Sequence, residues 1–166
     1  MRALTESDVR ASFVNATDED LRLLELPHDF VLTEWDHVDF FAWTNPSSRR
    51  RGYIIVERAG EPAGIVVRGS DASRIRSAMC NLCHTMQPGT QVVMMSALRA
   101  GEAGARGDAV GTYACADLSC HETVRLAAPL APGEMRRAGI VDRRIDGTRE
   151  RVERFVERVL EPVSVD

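Results

Sequence analysis

Lysine is absent from these 166 residues, and all 21 basic side chains are arginine. We attach no function to that bias. No apolar run approaches the roughly 20 residues of a membrane span. The opening stretch, residues 1–14, lacks the apolar core and small-residue cleavage site of a secretory signal. A soluble, cytoplasmic chain with no membrane partner is expected. There is no P-loop, no Gly-x-Gly-x-x-Gly after a strand, no His-Glu-x-x-His and no nucleophile elbow. Ser47, Ser48, Ser77 and Ser119 have no recognisable base partner, and Asp18-Glu-Asp20 has the form of a helix start rather than an acid/base pair. An enzyme is therefore not expected. Cysteine is scarce as well, with four in two pairs. In a reducing compartment such pairs hold a metal or do chemistry more often than they form disulfides.

The length suits one domain, or one with a small appendage, and suffices to bury a core without disulfides. We divide the chain into an N-terminal helical segment, residues 1–30, and an α/β domain, residues 31–166. Charge is uneven. Residues 1–45 hold three arginines against ten carboxylates, a balance of −7, and the remainder carries +3. Within Arg49–Arg76 seven arginines face three acids, so this stretch could present a basic patch to an acidic protein or to RNA. The alternative is an ordinary solvated face.

Thr5-Glu-Ser-Asp8 has the shape of a capping box with an aspartate in the closing position, and predicts a helix to about Val14. Asn15-Ala-Thr17 breaks it. Thr17-Asp-Glu-Asp20 opens a second helix, which cannot pass Pro27. Val31–Trp43 is rich in aromatic and β-favouring residues, and its Trp and Phe side chains are expected in the core. Asn45-Pro-Ser-Ser is a turn. Gly52–Glu57 and Ala63–Arg68 predict a β-hairpin. Gly69-Ser-Asp71 should cap a helix over Ala72–Met79 running directly into Cys80. Gln91–Ala97 and Ala109–Ala114 predict strands, joined by a mobile Gly/Ala-rich loop, Arg99–Asp108. Ser119-Cys-His-Glu122 is a second capping box, predicting a helix from Cys120 to Leu126, and Pro129–Gly133 is a linker-like break. Thr148 should cap a last amphipathic helix with Val152, Phe155, Val156, Val159 and Leu160 on its buried stripe.

The cysteines follow the pattern Cys80-x2-Cys83, thirty-one residues, then Cys115-x4-Cys120. Zinc takes four soft or borderline donors in a tetrahedron. A two-residue gap lets both thiolates of a knuckle point at one ion. The second pair lies at a strand-to-helix junction, where helix N–H groups favour thiolate. The hairpin between the pairs would bring them together. Knuckle, hairpin and ligand-bearing helix describe a treble-clef zinc finger, spanning about residues 80–126, within an α+β fold. A redox dithiol would follow a strand and would leave the second pair without a task. His84 and His121 adjoin ligands, and either could replace a neighbouring thiol, whereas His28 and His37 are ordinary surface or core histidines. Four protein donors leave no position for a catalytic water.

Asp39-Phe-Phe-Ala-Trp43, Arg51-Gly-Tyr-Ile-Ile-Val56, the Cys-Asn-Leu-Cys knuckle and Gly111-Thr-Tyr-Ala-Cys-Ala-Asp-Leu-Ser-Cys120 together resemble the FBP family. These are the elongation factor G-binding proteins that include the FusB-type fusidic acid resistance proteins. The likeness runs over roughly residues 5–160, and the segment around Cys115, taken with the knuckle, is its most specific part. It implies structural zinc held by Cys80, Cys83, Cys115 and Cys120, and binding to elongation factor G so as to free it from ribosomes on which the antibiotic has trapped it. The resistance proteins carry a larger helical N-terminal domain where this sequence has two short helices, so binding is the narrower expectation. No matching motif marks the contact surface. We place it around the zinc site, at Asn81, His84, Arg106, Tyr113 and Leu130. The competing readings are an RNA-binding zinc domain using Arg49–Arg76, and a redox or metal-handling enzyme using the first cysteine pair.

Overall fold

The computed structural model describes residues 1–71, 77–126 and 139–161. Helices α1 (Glu6–Ser12) and α2 (Asp18–Arg22) come first, and both start at the expected caps. The Thr5 hydroxyl accepts from the Asp8 N–H at 3.1 Å while the Asp8 carboxylate accepts from the Thr5 N–H at 2.8 Å. Thr17 and Asp20 repeat this reciprocal pair, which satisfies two of the orphan donors of a helix start. Two short 3₁₀ turns follow, Phe30–Leu32 and Trp35–His37, so the aromatic stretch becomes a strand only at its end.

Strands β1 (Phe41–Asn45), β2 (Ser48–Arg58) and β3 (Glu61–Gly69) form an antiparallel meander. The β2–β3 turn is Ala59-Gly60, with both φ values positive (50° and 84°), as a two-residue turn matched to strand twist requires. A small pair, β4 (Ala78–Met79) with β5 (Met86–Gln87), precedes β6 (Val92–Leu98). A short helix, α3 (Gly101–Ala105), leads to β7 (Ala109–Cys115). Then come α4 (Cys120–Thr123) and the long α5 (Ile140–Leu160). The main sheet has the order β1-β2-β3-β6-β7, antiparallel throughout.

Side-chain alternation gives this sheet two cores. Tyr53 and Ile55 turn to one face and meet Leu4, Val9, Leu24, Phe41 and Trp43. Trp43 stacks on Tyr53 with ring centroids 4.8 Å apart. Ile54 and Val56 turn to the other face, which holds all four cysteines and the α5 stripe of Val152, Phe155, Val156 and Val159. β3 and β6 pair only at Arg68–Ser96 and Gly69–Met95. Beyond that point Asn15 bridges them, donating to the Val66 and Leu98 carbonyls and accepting from the Val66 N–H at 2.8 Å. α1 packs on β3 closely enough that a Cβ at Gly64 would lie 2.5 Å from Ser12 Oγ.

Several local expectations need correction. Ala78–Met79 is extended, so no helix enters Cys80; the expected positions Ala72–Arg76 lie outside the described residues. Arg99–Asp108, expected as a mobile loop, contains the short helix α3 and is held at its base by backbone hydrogen bonds. Arg99 N–H donates to the Asp108 carbonyl at 2.9 Å and Ala100 N–H to that of Val159 at 2.8 Å. Ser119 makes no side-chain cap: its backbone (φ −71°, ψ 18°) is not the extended one of a capping residue, its hydroxyl donates to Asp117 at 2.7 Å, and α4 is a single turn. Thr148 is interior to α5. Its hydroxyl donates back to the Arg144 carbonyl at 2.7 Å, and the helix starts eight residues earlier, after Gly139 (φ 68°). The expected linker at Pro129–Gly133 lies outside the described residues.

Candidate metal centre

The first cysteine pair sits in a tight knuckle between β4 and β5. Cys80 N–H donates to the Thr85 carbonyl at 3.0 Å and His84 N–H to the Cys80 carbonyl at 2.9 Å. This turn requires a left-handed residue at His84 (φ 55°), a conformation for which histidine is among the better-suited side chains. The N–H groups of Leu82 and Cys83 point at Cys80 Sγ, at 3.3 and 3.4 Å. Cys115 ends β7, and Cys120 is the first residue of α4. Between them Leu118 takes φ 59°, a strained setting for a large side chain. Its side chain is buried, and Gly52 makes room for it: a Cβ there would lie 2.6 Å from Leu118 Cδ1.

These elements bring the four sulfurs within 4.8 Å of one another, all buried. Cys80–Cys120 and Cys83–Cys115 are each 3.6 Å apart. Sulfurs 2.3 Å from a central zinc would be about 3.8 Å apart along a tetrahedral edge. A disulfide needs about 2.05 Å, and none of the four is so bonded. Proton sharing within the cluster pulls its members apart. Cys83 is drawn far below the ordinary thiol range, first by a hydrogen bond with Cys115, while Cys120 is pushed well above it, first by that same residue. A divalent cation held by all four sulfurs would require them as thiolates and release their protons on binding.

Neither adjacent histidine joins the donor group, which among the described residues consists of the four sulfurs alone. His121 sets its ring edge-on against Phe40 and brings Nδ1 to 3.7 Å from Asp39 and 3.0 Å from Arg125. Burial lowers its pKa. Arg125 also donates to the His37 carbonyl at 3.1 Å, tying α4 to the segment before β1. Arg151, which lies off the apolar stripe of α5, reaches the knuckle and donates from Nε to the Leu82 carbonyl at 2.7 Å. Burial lowers its pKa while the nearby sulfurs act to raise it. Nothing local in the sequence separates it from the other arginines of α5. Leu118 and Gly52 escaped for the same reason, since their meaning depends on a contact between distant segments.

The proposed contact residues are dispersed. Asn81 and His84 are exposed on the knuckle, and Asn81 N–H donates to the Tyr113 carbonyl at 2.8 Å, which places Tyr113 beside them. Arg106 follows α3, at the end of the β6–β7 hairpin opposite the cysteines, roughly 20 Å away by strand rise. It pairs there with Glu102 and Asp108 at 3.8 and 4.0 Å. Leu130 lies outside the described residues. Of the Arg49–Arg76 stretch, Arg74 and Arg76 lie outside the described residues, and several of the others are paired with carboxylates. Arg51 and Arg68 meet the buried Asp20 at 3.3 and 2.8 Å, Arg58 pairs with Glu157, and Arg50 with Asp71. No described helix is long and apolar enough to cross a membrane.

Knuckle, β6–β7 hairpin and ligand-bearing helix around four buried sulfurs define a treble-clef zinc domain set into one face of an antiparallel sheet. The family model for the FBP C-terminal treble-clef zinc-finger matches residues 8–159, nearly the whole chain, and the chain belongs to that family. No curated protein and no solved structure was found to match it. The buried donor set fits structural zinc.

Proposed function

We propose that this chain is a zinc-stabilised binding protein for translation elongation factor G, acting at the ribosome through binding rather than chemistry. The observation that carries the reading is the family match over residues 8–159. Cys80, Cys83, Cys115 and Cys120 serve as the four ligands. Together they would close the coordination sphere and leave no position for a reactive water, which fits a scaffold rather than a catalyst. Asn81, His84 and Tyr113, grouped about the knuckle, are the contact residues of the original set that this geometry supports. A binding module releases a trapped factor by preferring its free form. Converting a 99:1 trapped population to 1:99 requires about a 10⁴-fold preference. The RNA reading has less behind it, since Arg50, Arg51, Arg58 and Arg68 are already engaged by carboxylates.

The test is co-sedimentation of ribosomes carrying elongation factor G held by fusidic acid. Added zinc-loaded protein should move the factor into the supernatant. A factor that stays with the ribosomes at saturating protein contradicts the release step. Salt-sensitive retention of RNA, with no retention of the factor, would favour the RNA reading instead.

A further inference from the structure

The two edges of the main sheet differ. At the β7 edge the Tyr113 carbonyl is taken by the Asn81 N–H of the knuckle. At the β1 edge, among the described residues, the backbone of Phe41–Thr44 makes no hydrogen bond except toward β2. The neighbouring chain is tied to β1 through side chains only: Trp43 Nε1 donates to the Glu25 carbonyl, and Asn45 Oδ1 accepts from the Glu25 N–H, both at 2.9 Å. Along this edge runs a groove of about 480 Å³. Five consecutive residues, Phe40–Thr44, line it, so the strand's edge rather than one of its faces forms the floor. Leu32, exposed at 76%, stands on one bank, and the turn from Asp117 to Glu122 on the other.

Among the described residues the charged rim of the groove is acidic: Asp29, Asp117 and Glu122 line it, no arginine does, and none of the three is ion-paired with a described residue. A strand edge whose outward peptide groups, like the acidic rim, have no partner among the described residues, beside an apolar bank, is complementary to one kind of occupant, an extended segment carrying arginine or lysine. A nucleic acid would be repelled here.

We infer that the β1 edge is a docking site for an extended cationic segment of the protein partner, added to the sheet as a sixth strand alongside β1. The inference rests on elongation factor G being that partner. Backbone pairing along Phe41–Asn45 supplies the affinity, and the Asp29 and Glu122 carboxylates select the charge and set the direction of approach. Because Glu122 lies on α4 beside the metal ligands, binding there would read the zinc-dependent placement of that helix.

The experiment titrates purified elongation factor G into the zinc-loaded full chain, into Asp29→Lys, and into Asp29→Lys/Glu122→Lys. Zinc content is verified in each, and amide exchange across residues 41–45 is followed in the wild-type complex. We expect affinity at low salt to fall about tenfold or more in the double variant, with Asp29→Lys intermediate, because exposed attractions become repulsions. We also expect residues 41–45 to gain exchange protection in the complex. Unchanged affinity in both variants with full zinc content, or unchanged exchange at 41–45 in a formed complex, overturns the strand-addition site while leaving the partner intact. No binding by the wild type overturns the partner reading, and this inference with it.

Discussion

Replacing one ligand, Cys83→Ser, separates a structural metal from an incidental cluster. Zinc in small domains contributes about 10–16 kcal/mol of binding free energy that is also folding free energy. Shared evenly over four donors, one ligand is worth roughly 3–4 kcal/mol, or two to three orders of magnitude in zinc affinity. In a domain of this size that corresponds to a melting temperature lower by about 6–16 °C. The loss should not stay local. Cys83 belongs to one continuous core with Ile54, Val67, Val124 and Phe155, and Arg151 joins the knuckle to α5 at 2.7 Å. The assay is thermal unfolding with zinc stoichiometry, together with amide exchange resolved by element. Exchange should accelerate across residues 80–125 and in α5, and much less in α1, which closes the opposite face. An unchanged melting temperature and one retained zinc per chain would refute the structural assignment.

Gly52→Ala places a methyl 2.6 Å from Leu118 Cδ1 and 3.0 Å from Val67 Cγ2, where the neighbours have little room; thermal unfolding should show a loss of about 1–3 kcal/mol, and weaker zinc retention against a chelator. Asp20→Ala strips two arginines of their shared partner and should cost about 2–4 kcal/mol by denaturant titration at pH 7. Burial opposes the Asp20 charge, yet the bonds from Thr17 and the charges of Arg68 and Arg51 outweigh it and hold its pKa below the ordinary value. Its contribution is therefore complete above the ordinary carboxylate pKa and disappears as pH falls through the depressed one, so wild type and variant should converge in acid. Arg151→Met keeps apolar bulk on α5 but leaves the Leu82 carbonyl unpaired; a loss of about 1–3 kcal/mol is expected, with faster zinc release to a chelator, and equal release rates would show that this arginine has no part in holding the knuckle.

Features written in short-range pairs were legible from residues alone. Thr5 with Asp8 and Thr17 with Asp20 meet three positions apart, so their boxes needed no tertiary information. The hairpin over Gly52–Arg68 and the four-cysteine arrangement were legible for the same reason: spacing and turn chemistry carry them. Where a local signal competed with a longer-range contact, the contact prevailed. Thr148 resembles a cap because Gly147 and Thr148 are weak helix formers, but packing of Ile145 and Val152 on the sheet carries the helix through them. Ser119 resembles a cap, but its backbone is not extended and its hydroxyl donates to Asp117. Asn15 looked like a simple helix breaker and instead joins two strands 51 and 83 residues away in sequence. Within the arginine-rich stretch, folding sets Asp20 against Arg51 and Arg68, a pairing that their separation in sequence hides. Among the described residues of the proposed contact surface, Asn81, His84 and Tyr113 are neighbours and Arg106 lies apart, because spatial grouping on a sheet end is decided by register, which composition does not encode.

We propose that a zinc-held treble clef presents the binding surface for elongation factor G. Calorimetric titration of purified elongation factor G into the zinc-loaded chain, repeated after chelation, tests it most directly. A saturable one-to-one complex with the zinc-loaded protein is expected, and loss of that complex once zinc is removed. No heat and no complex with the fully loaded protein at low salt, or equal affinity with and without zinc, would contradict it.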